Sequence, residues 1–346
     1  MTGTRKTVIS VDAMGGDNGP VPIVKGLNKA LKQHADVFVL LHGPKETLVE
    51  LTSKYSWLSG RIEICDAPNV VEMTDKPSSA LRHRKDTSMA NALNALKEGR
   101  ATTAISCGNT GALMAMSTVI LQKIKGVDRP AIAIFWPSLN AHMYNVVLDV
   151  GADIRAKADD LCAYAYMGAA YAQNAFDLSR PRIGLLNIGT EDHKGRSEVK
   201  AASDLLSQNA TNGGFEYVGF VEGDHIASDR VDVVVTDGFA GNIALKTAEG
   251  TAKVIAEMLR NSFAHSSLSR FASLFAITSM RRLKRRIDPR HANGGVFLGL
   301  QGTVIKSHGD ADSTGIAAAL DLAIRLDQNG FTKTVADKLS ELSKTN

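Results

Sequence analysis

Apolar and polar positions follow one order again and again along this chain, although the sequence itself does not repeat. A short apolar run rich in β-branched residues ends in Gly, Asp, Asn or Thr, and a stretch with helical spacing follows it. Strands that alternate with helices of this length predict βαβ units and a mainly parallel sheet. The strands are apolar on both faces, so we expect helices on both sides of the sheet. The clearest units are KTVISVDAMGGDNGPVPIVKGLNKALKQ, TTAISCGNTGALMAMSTVILQK, MYNVVLDVGADIRAKADDLCAYAYMGAAYAQ, PRIGLLNIGTEDHKGRSEVKAASDLLSQ and VDVVVTDGFAGNIALKTAEGTAKVIAEMLR.

The polar residues that end each apolar run indicate where ligands bind. In parallel sheets, ligands bind beyond the carboxyl ends of the strands, where the connecting loops converge. We therefore predict that these loops lie on one rim of the sheet. Backbone N–H groups at a helix N-terminus attract anions, and SCGNTGA (106–112) and TDGFAGN (236–242) place glycines at such positions. Any one loop could be only a well-capped helix, but five loops on one rim favour an anion site.

The chain has no low-complexity linker, so we predict one continuous α/β unit over residues 1–346. One segment departs from the βαβ pattern. Residues 254–288 carry apolar side chains at helical spacing, with HSSLS as a turn between two halves. This segment predicts an amphipathic helical hairpin that projects from the sheet.

Composition narrows the class of protein without naming it. The 346 residues carry a net charge of +4, which is consistent with anionic partners. Three cysteines without a CxxC spacing argue against disulfides and against a structural zinc site, and favour a reducing cytoplasm. The first residues lack the apolar core of a secretory signal. The long uncharged stretch 130–148 contains prolines, asparagines and a histidine, so we expect no membrane span.

Nucleotide fingerprints are missing, and the remaining charged motifs are open to two interpretations. Neither GxxxxGK[ST] nor an opening GxGxxG occurs, which argues against a P-loop enzyme and a conventional dinucleotide site. A phosphate could bind to Lys194, to the basic run 82–85, or to the pair Lys306 and His308. Alternatively, the charged side chains are only solvated, and His308 has a structural role. Cys107 begins a helix, but no base lies near it in sequence, so we interpret it as a lining residue.

The basic end of the hairpin, MRRLKRRIDPR, allows three interpretations. It could form a dimer interface, bind an acidic protein, or lie on an anionic membrane surface. Apolar residues on one face and cations on the other are typical of interfacial membrane helices. Aromatic stacking residues and a recognisable nucleic-acid motif are absent from the sequence, so we expect no nucleic-acid partner.

Eight motifs in order resemble one family along nearly the whole chain, from about residue 7 to 330. Together they resemble the bacterial PlsX-type phosphate acyltransferases, also called acyl-ACP:phosphate transacylases. One motif would be weak, whereas eight in the right order are specific. The motifs are VDAMGGDNGP, SSALRHRKDTSMANAL, SCGNTGALMA, RPAIA, LDVGAD, RIGLLNIGTEDHKG, VTDGFAGNIALKT and IKSHGDAD.

The resemblance implies an enzyme that transfers a long-chain fatty acyl group from acyl carrier protein to inorganic phosphate. The acyl phosphate product would serve phospholipid synthesis. The implied fold is a three-layer α/β/α sheet similar to isopropylmalate dehydrogenases and phosphotransacetylases. A cytoplasmic homodimer without metal or nucleotide cofactor is implied, with peripheral membrane contact through the hairpin 254–288.

The resemblance also implies which residues form the site. Positioning and charge stabilisation fall to Lys194, Asp237, Asn242 and His308. Substrate and phosphate binding fall to Asp12, Gly15, Gly16, Asp17, Asn18, Arg82, Lys85, Ser88, Gly108, Asn109, Thr110, Gly189, Gly238 and Gly241. Because carboxylates repel phosphate, we expect Asp12 and Asp17 to orient donors such as Lys194 or neighbouring N–H groups.

Two other functions remain as alternatives. An NAD-dependent hydroxyacid dehydrogenase of related fold would bind the cofactor without the usual fingerprint. A membrane-surface or nucleic-acid adaptor would act through the basic hairpin alone, and deletion of residues 262–286 would abolish its function but not soluble turnover by an enzyme.

Overall fold

A computed structural model describes residues 7–83, 85–191, 193–211, 213–266, 275–279 and 294–342. Its strands are β1 (Val8–Asp12), β2 (Phe38–Gly43), β3 (Ile62–Asp66), β4 (Thr103–Ser106), β5 (Ala131–Pro137), β6 (Tyr144–Leu148), β7 (Arg182–Leu186), β8 (Glu216–Val221), β9 (Val233–Val235), β10 (Gly295–Leu298) and β11 (Thr303–Lys306). Its main helices are α1 (Pro20–Ala30), α2 (Lys45–Ser53), α3 (Pro77–Arg82), α4 (Ser88–Lys97), α5 (Thr110–Leu121), α6 (Ala158–Phe176), α7 (Ser197–Asn209), α8 (Gly238–Ala264), α9 (Ser313–Gln328) and α10 (Phe331–Leu342).

The strands form one eleven-stranded sheet in the order β3-β2-β1-β4-β11-β10-β5-β6-β9-β7-β8. Most neighbours are parallel, as predicted. Three pairings in the middle are antiparallel, namely β11 with β10, β10 with β5, and β5 with β6. The direction of the parallel strands is therefore reversed between the two halves of the sheet.

This reversal contradicts the prediction that the strand-end loops share one rim. We call the end of the sheet where β1, β4 and β11 finish the first rim, and the end where β6, β9 and β7 finish the second rim. The two rims are opposite ends of the same sheet, separated by about 15 Å along strands of four to five residues. The sequence contains no signal for the antiparallel steps, because β5 and β10 read as ordinary buried strands.

Helices cover both faces, which confirms the three-layer α/β/α prediction. Strand residues alternate between the faces. In β4, Ile105 packs into one apolar cluster with α1, α6 and α9, whereas Ala104 packs into a second cluster with α4 and α5. The helix α6 is buried along most of its length and supplies Tyr164, Tyr166 and Tyr171 to the first cluster.

The helix α8 begins at the second rim and is unusually long and exposed. Its 27 residues span about 40 Å. Val254, Ile255, Met258 and Leu259 are exposed apolar residues on its second half. These belong to the predicted hairpin, residues 254–288, whose first arm is helical. Residues 267–274 and 280–288 of the hairpin lie outside the described residues. No helix in the described ranges combines the length and apolarity that a bilayer span requires.

Candidate active site

The first rim is built around the carboxylate of Asp12, which ends β1. Its side chain is buried. The hydroxyl of Ser106, at the end of β4, donates to Asp12 Oδ2 at 2.7 Å, and the Met14 N–H donates to Oδ1 at 3.1 Å. Burial raises the pKa of Asp12, and these donors oppose the rise. The Ser88 hydroxyl also lowers this pKa but makes no hydrogen bond of good geometry.

Glycines let the loops after β1 and β4 touch. A Cβ placed on Gly15 would lie 2.5 Å from the Gly108 nitrogen and 2.6 Å from Asp12 Oδ2. The Gly108 N–H already donates to the Ser106 hydroxyl at 3.0 Å. Gly16 is less crowded, since a Cβ there would lie 3.2 Å from its nearest neighbour, the Gly309 carbonyl oxygen. The paired glycines therefore serve close packing between loops.

The N-terminus of α5 opens on the same rim. Asn109 caps this helix through Oδ1, which accepts from the Ala112 N–H at 3.0 Å. Its amide nitrogen donates to the carbonyls of Met73 at 2.8 Å and Asp75 at 3.0 Å. The side chain of Asn109 is thus occupied with protein groups, while Thr110 is exposed at the first helical position. The anion-attracting part of this loop is the helix terminus.

Lys306, which ends β11, is the cation of the first rim. Its Nζ donates to the carbonyl oxygen of Cys107 at 3.2 Å and to that of Ser307, and it forms no ion pair with a described carboxylate. Burial lowers the pKa of Lys306, while nearby Asp17 and Asp12 favour its charged form. Our assignment of site residues omitted Lys306, although its place at the end of an apolar run in IKSHGDAD was the available signal.

Burial raises the pKa of the Cys107 thiol to about 11. A thiol with this pKa is almost entirely protonated near neutral pH and is a poor nucleophile. Cys107 therefore fits the predicted role of a lining residue.

His308 and Asp17 complete this rim. The Asp17 N–H donates to the Gly309 carbonyl at 2.8 Å, and both Asp17 and Asn18 are exposed. His308 is exposed as a residue, yet partial desolvation of its ring lowers its pKa, and Glu249 of α8 opposes that shift. The long helix α8 thus reaches the first rim from the second.

The predicted basic residues before α4 are peripheral. Arg82 and Lys85 are exposed, and Arg82 Nε donates to the Ser78 carbonyl at 3.3 Å within its own helix. Ser88, by contrast, is buried beside Asp12. The described structure places only Ser88 of these three residues in the centre of the first rim.

The second rim is organised by Asp149, a buried residue that follows β6. Its carboxylate accepts N–H groups from Ile132 at 2.9 Å, Gly151 at 3.1 Å, Ala152 at 3.0 Å and Asp153 at 2.6 Å. Burial raises its pKa, and these bonds oppose the rise. We did not select Asp149 from the sequence, although LDVGAD contains it.

The start of α8 packs directly on Asp149. A Cβ on Gly238 would lie 2.6 Å from Asp149 Oδ2, and one on Gly241 would overlap the Asp149 carbonyl oxygen. Asn242 donates to the Val150 carbonyl at 3.1 Å. Gly238, Gly241 and Asn242 are therefore needed for α8 to pack against the loop that contains Asp149, in addition to any role in binding.

The charged side chains at the start of α8 and in the loop after β7 are paired. Asp237 caps α8 by accepting from the Ala240 N–H at 2.8 Å, and its other oxygen pairs with Arg196. Lys194 Nζ lies 2.8 Å from Glu191 Oε1, and this contact raises the pKa of Lys194 and lowers that of Glu191.

The loop around Lys194 is compact. Gly189 lies against the Lys194 side chain so closely that a Cβ there would overlap Lys194 Cδ. Because Lys194 and Asp12 lie on opposite rims, Asp12 and Asp17 do not orient Lys194 within one chain. The other predicted donors, neighbouring N–H groups, hold for Asp12, which accepts from the Met14 N–H. Ser106 also donates to Asp12, and Lys306 lies near both carboxylates.

Chemically, the first rim offers a helix terminus and a cation bonded only to carbonyls, an arrangement suited to an oxyanion. In the described ranges no three His, Cys, Asp or Glu residues are placed to hold a metal ion. A cavity of about 720 Å³ lies among β5, β6, α6 and α9, and none of the predicted site residues lines it.

Comparison with known proteins places the chain in a family. Residues 7–334 match the family described as "Fatty acid synthesis protein". Over 343 residues the chain is 54% identical to the phosphate acyltransferase of Cereibacter sphaeroides, covering 99% of this chain and 93% of that protein. It is 56% identical over 336 residues to the phosphate acyltransferase of a Ruegeria species, covering 97% and 90%.

Solved structures agree on the fold. A phosphotransacetylase from Streptococcus pyogenes superposes with a TM-score of 0.62 at 16% identity, over 93% of this chain and 94% of that one. A phosphotransacetylase from Staphylococcus aureus gives 0.59 at 14% identity, over 95% and 94%. This likeness confirms the predicted similarity to the phosphotransacetylase fold. The near-full-length match to named relatives confirms the predicted enzyme class, an acyltransferase. The chain belongs to the fatty acid synthesis protein family, together with the phosphate acyltransferases.

Proposed function

We propose that this enzyme transfers a long-chain fatty acyl group from acyl carrier protein to inorganic phosphate, releasing acyl phosphate for phospholipid synthesis. The observation that carries the proposal is the match of more than half of all positions to phosphate acyltransferases along nearly the whole chain. Phosphate is proposed as the acyl acceptor because the relatives are named phosphate acyltransferases. Acyl carrier protein is proposed as the acyl donor because the sequence motifs resemble those of the PlsX-type enzymes.

The geometry of the first rim is suited to binding the phosphate. Phosphate would lie at the N-terminus of α5, where the helix dipole and free N–H groups favour its charge. Lys306 holds the Cys107 carbonyl and adds positive charge beside the rim. The buried carboxylate of Asp12 points at Ser106 and Met14, so it holds the loops rather than facing an anion.

The reaction itself needs no covalent enzyme intermediate. A phosphate oxygen attacks the thioester carbonyl carbon, a C–O bond forms, and the C–S bond breaks. The pantetheine sulfur leaves as a thiolate and takes up a proton from solvent. Negative charge develops on the carbonyl oxygen during the attack, and fixed N–H donors or lysine would stabilise it. Holding phosphate and thioester together supplies much of the acceleration.

Lys194, Asp237, Asn242 and His308 remain our proposed positioning and charge-stabilising residues. His308 stands on the first rim, and the other three stand on the second rim. Because the two rims are opposite ends of one sheet, Lys194 would act on a carbonyl oxygen attacked at the first rim only from the second copy of the proposed homodimer, after exchanging Glu191 for substrate. The pair is exposed, and such surface pairs contribute little stability, so this exchange costs little.

We also propose a homodimer and a membrane contact. Phe239 is 61% exposed and Ile243 is 51% exposed on the first turns of α8, and exposed apolar residues continue along the helix beyond Val254. An apolar stripe of this length favours burial against a second copy. The segment 254–288, with its basic end, would lie on an anionic membrane surface.

The test is a complete reaction with purified full-length protein, palmitoyl-ACP and inorganic phosphate. We expect phosphate-dependent release of the carrier thiol and an equal amount of acyl phosphate, trapped as the hydroxamate. Omission of phosphate is the control for simple hydrolysis. Thiol release at the same rate without phosphate would show that the protein is a thioesterase and would contradict the proposal. No thiol release at all would refute acyl transfer from the carrier.

A further inference from the structure

A second cavity, of about 390 Å³, lies at the second rim and is lined almost wholly by charged side chains. Four of them are cations: Lys123 and Arg129 from the segment between α5 and β5, and Arg155 and Lys157 from the segment between β6 and α6. None of the residues that we assigned to acyl transfer lines this cavity. It is therefore separate from the proposed phosphate site on the first rim.

The cations in this cavity are not neutralised by the carboxylates beside them. Asp128, Asp153 and Asp160 also line it, yet none of the four cations forms an ion pair with a carboxylate in the described part of the chain. The Asp153 carboxylate accepts the Arg155 N–H at 3.2 Å, and the Asp160 carboxylate accepts the Lys157 N–H at 3.0 Å. Backbone donors thus occupy Asp153 and Asp160. The Lys123 ammonium donates to the Asp128 carbonyl at 2.7 Å, so the cations that stay available to a ligand are Arg129, Arg155 and Lys157.

A buried hydroxyl below the cavity provides an independent observation. Tyr164 is completely buried, and its hydroxyl has no hydrogen-bond partner among the described residues. Tyr164 does not itself line the cavity, but the charges of Asp149 first, and then of Asp153, Asp160 and Arg129, act on its hydroxyl, and the last three of these residues line the cavity. A buried tyrosine hydroxyl normally has a partner, because leaving it unpaired costs free energy. An oxygen-rich ligand, or water ordered by it, would supply that partner.

We propose that this cavity binds a phosphate group, either as inorganic phosphate or as the phosphate of a small ester. Several cations converging on one concavity suit an oxyanion with three or four acceptor oxygens, and arginine can donate to two of them at once. The N-terminus of α6, which starts beside Lys157, adds favourable backbone dipoles. The volume exceeds what one phosphate needs and leaves room for the group to which it is esterified.

This inference does not depend on the acyl transfer reaction. If the enzyme makes no acyl phosphate, the cavity should still bind phosphate. If the cavity binds nothing, the first-rim reaction is untouched. A direct binding measurement therefore separates the two proposals.

The experiment is calorimetric titration of the full chain at low salt, with inorganic phosphate and, separately, with pantetheine 4′-phosphate. The double variant Arg129→Gln/Arg155→Gln removes two cations of the cavity. Lys25→Gln/Lys333→Gln removes two exposed cations elsewhere and is the charge-matched control. A Lys306→Met background weakens the first-rim site, so that the remaining binding reports on the cavity.

We expect one phosphate compound to bind in the Lys306→Met background, and the Arg double variant to raise its dissociation constant about tenfold or more. Tyr164→Phe, which keeps the ring, should raise it by a smaller factor, about threefold. Loss of inorganic phosphate binding identifies free phosphate as the ligand; loss of pantetheine phosphate binding alone identifies the ester. Equal binding by the Arg double variant and the Lys double variant would overturn the proposal, as would an absence of binding by both compounds.

Discussion

The two rims of the sheet look alike in sequence but are built differently. On each rim a strand ends in a buried aspartate, and glycines follow it in the loops. At the second rim, Asp149 is enclosed by four backbone N–H groups, and Lys194 is paired with Glu191. At the first rim, Asp12 accepts one hydroxyl and one N–H, and among the described residues Lys306 donates hydrogen bonds only to carbonyls.

The difference shows that a strand-end motif can serve folding or binding depending on how its polar groups are satisfied. Where backbone donors saturate a carboxylate, removal of the side chain costs stability. Where a cation is held by neutral carbonyls, its charge remains available to a ligand. Substitutions on each rim can test this division, one rim against the other.

The largest effect should come from Asp149→Ala at the second rim. The substitution leaves one buried and three partly buried N–H groups without their acceptor, so we expect the free energy of unfolding to fall by about 4 kcal/mol. Urea denaturation measures this, with Asp204→Ala on exposed α7 as the control. A loss below about 1 kcal/mol would mean that water or other groups replace the carboxylate.

Acid should weaken the first rim through His42, which lies beside Asp12 on β2. Burial first, and then the charge of Arg100, lower its pKa to about 4. The unfolded chain takes up this proton near pH 6.5, and the folded chain does so only near pH 4. Stability should therefore fall as pH drops from 6.5 to 4, by at most about 3 kcal/mol, and this contribution is complete above pH 6.5.

The variant His42→Gln isolates this contribution. It removes the titrating ring, so its unfolding free energy should depend less on pH between 6.5 and 4 than that of the unaltered chain. Its absolute stability also changes because the Ser10 contact at 2.9 Å is altered. We therefore compare how steeply the unfolding free energy changes with pH in the two proteins. The same steepness in both would exclude His42 as the source of acid sensitivity.

The sequence predicted most of the fold but only part of the arrangement of the site. Apolar runs and helical spacing reveal βαβ units, because burial on both strand faces leaves a local pattern. The rim on which each loop falls depends on pairing between strands distant in sequence, such as β10 with β5, and no local pattern encodes it. The residue types alone indicate that Asn109 and Asp237 can cap helices. The contacts of Lys306 could not be predicted in this way, because they depend on how the loops pack against one another.

Lys306→Met should separate activity from stability at the first rim. Removing the ammonium takes charge away from the proposed phosphate site, so we expect kcat/KM for phosphate to fall about 100-fold. The methionine keeps most of the buried stem, so the unfolding free energy should change much less than in Asp149→Ala. Lys333→Met, at an exposed position on α10, is the matched control. Full activity of Lys306→Met would contradict the proposal that phosphate binds at the first rim.

Lys194→Met should give a smaller loss, because Lys194 already shares its charge with Glu191. We expect kcat to fall about tenfold with little change in KM for phosphate, since the proposed role is on the carbonyl oxygen during attack. Glu191→Gln is the informative partner. It frees the ammonium, so kcat should be kept or raised. A fall in both variants would show that the Lys194–Glu191 pair acts as a structural unit, and the second rim would then contribute folding alone. A loss in Lys194→Met as large as that in Lys306→Met would show that the two rims contribute equally to one site, which requires the first rim of one copy to meet the second rim of the other.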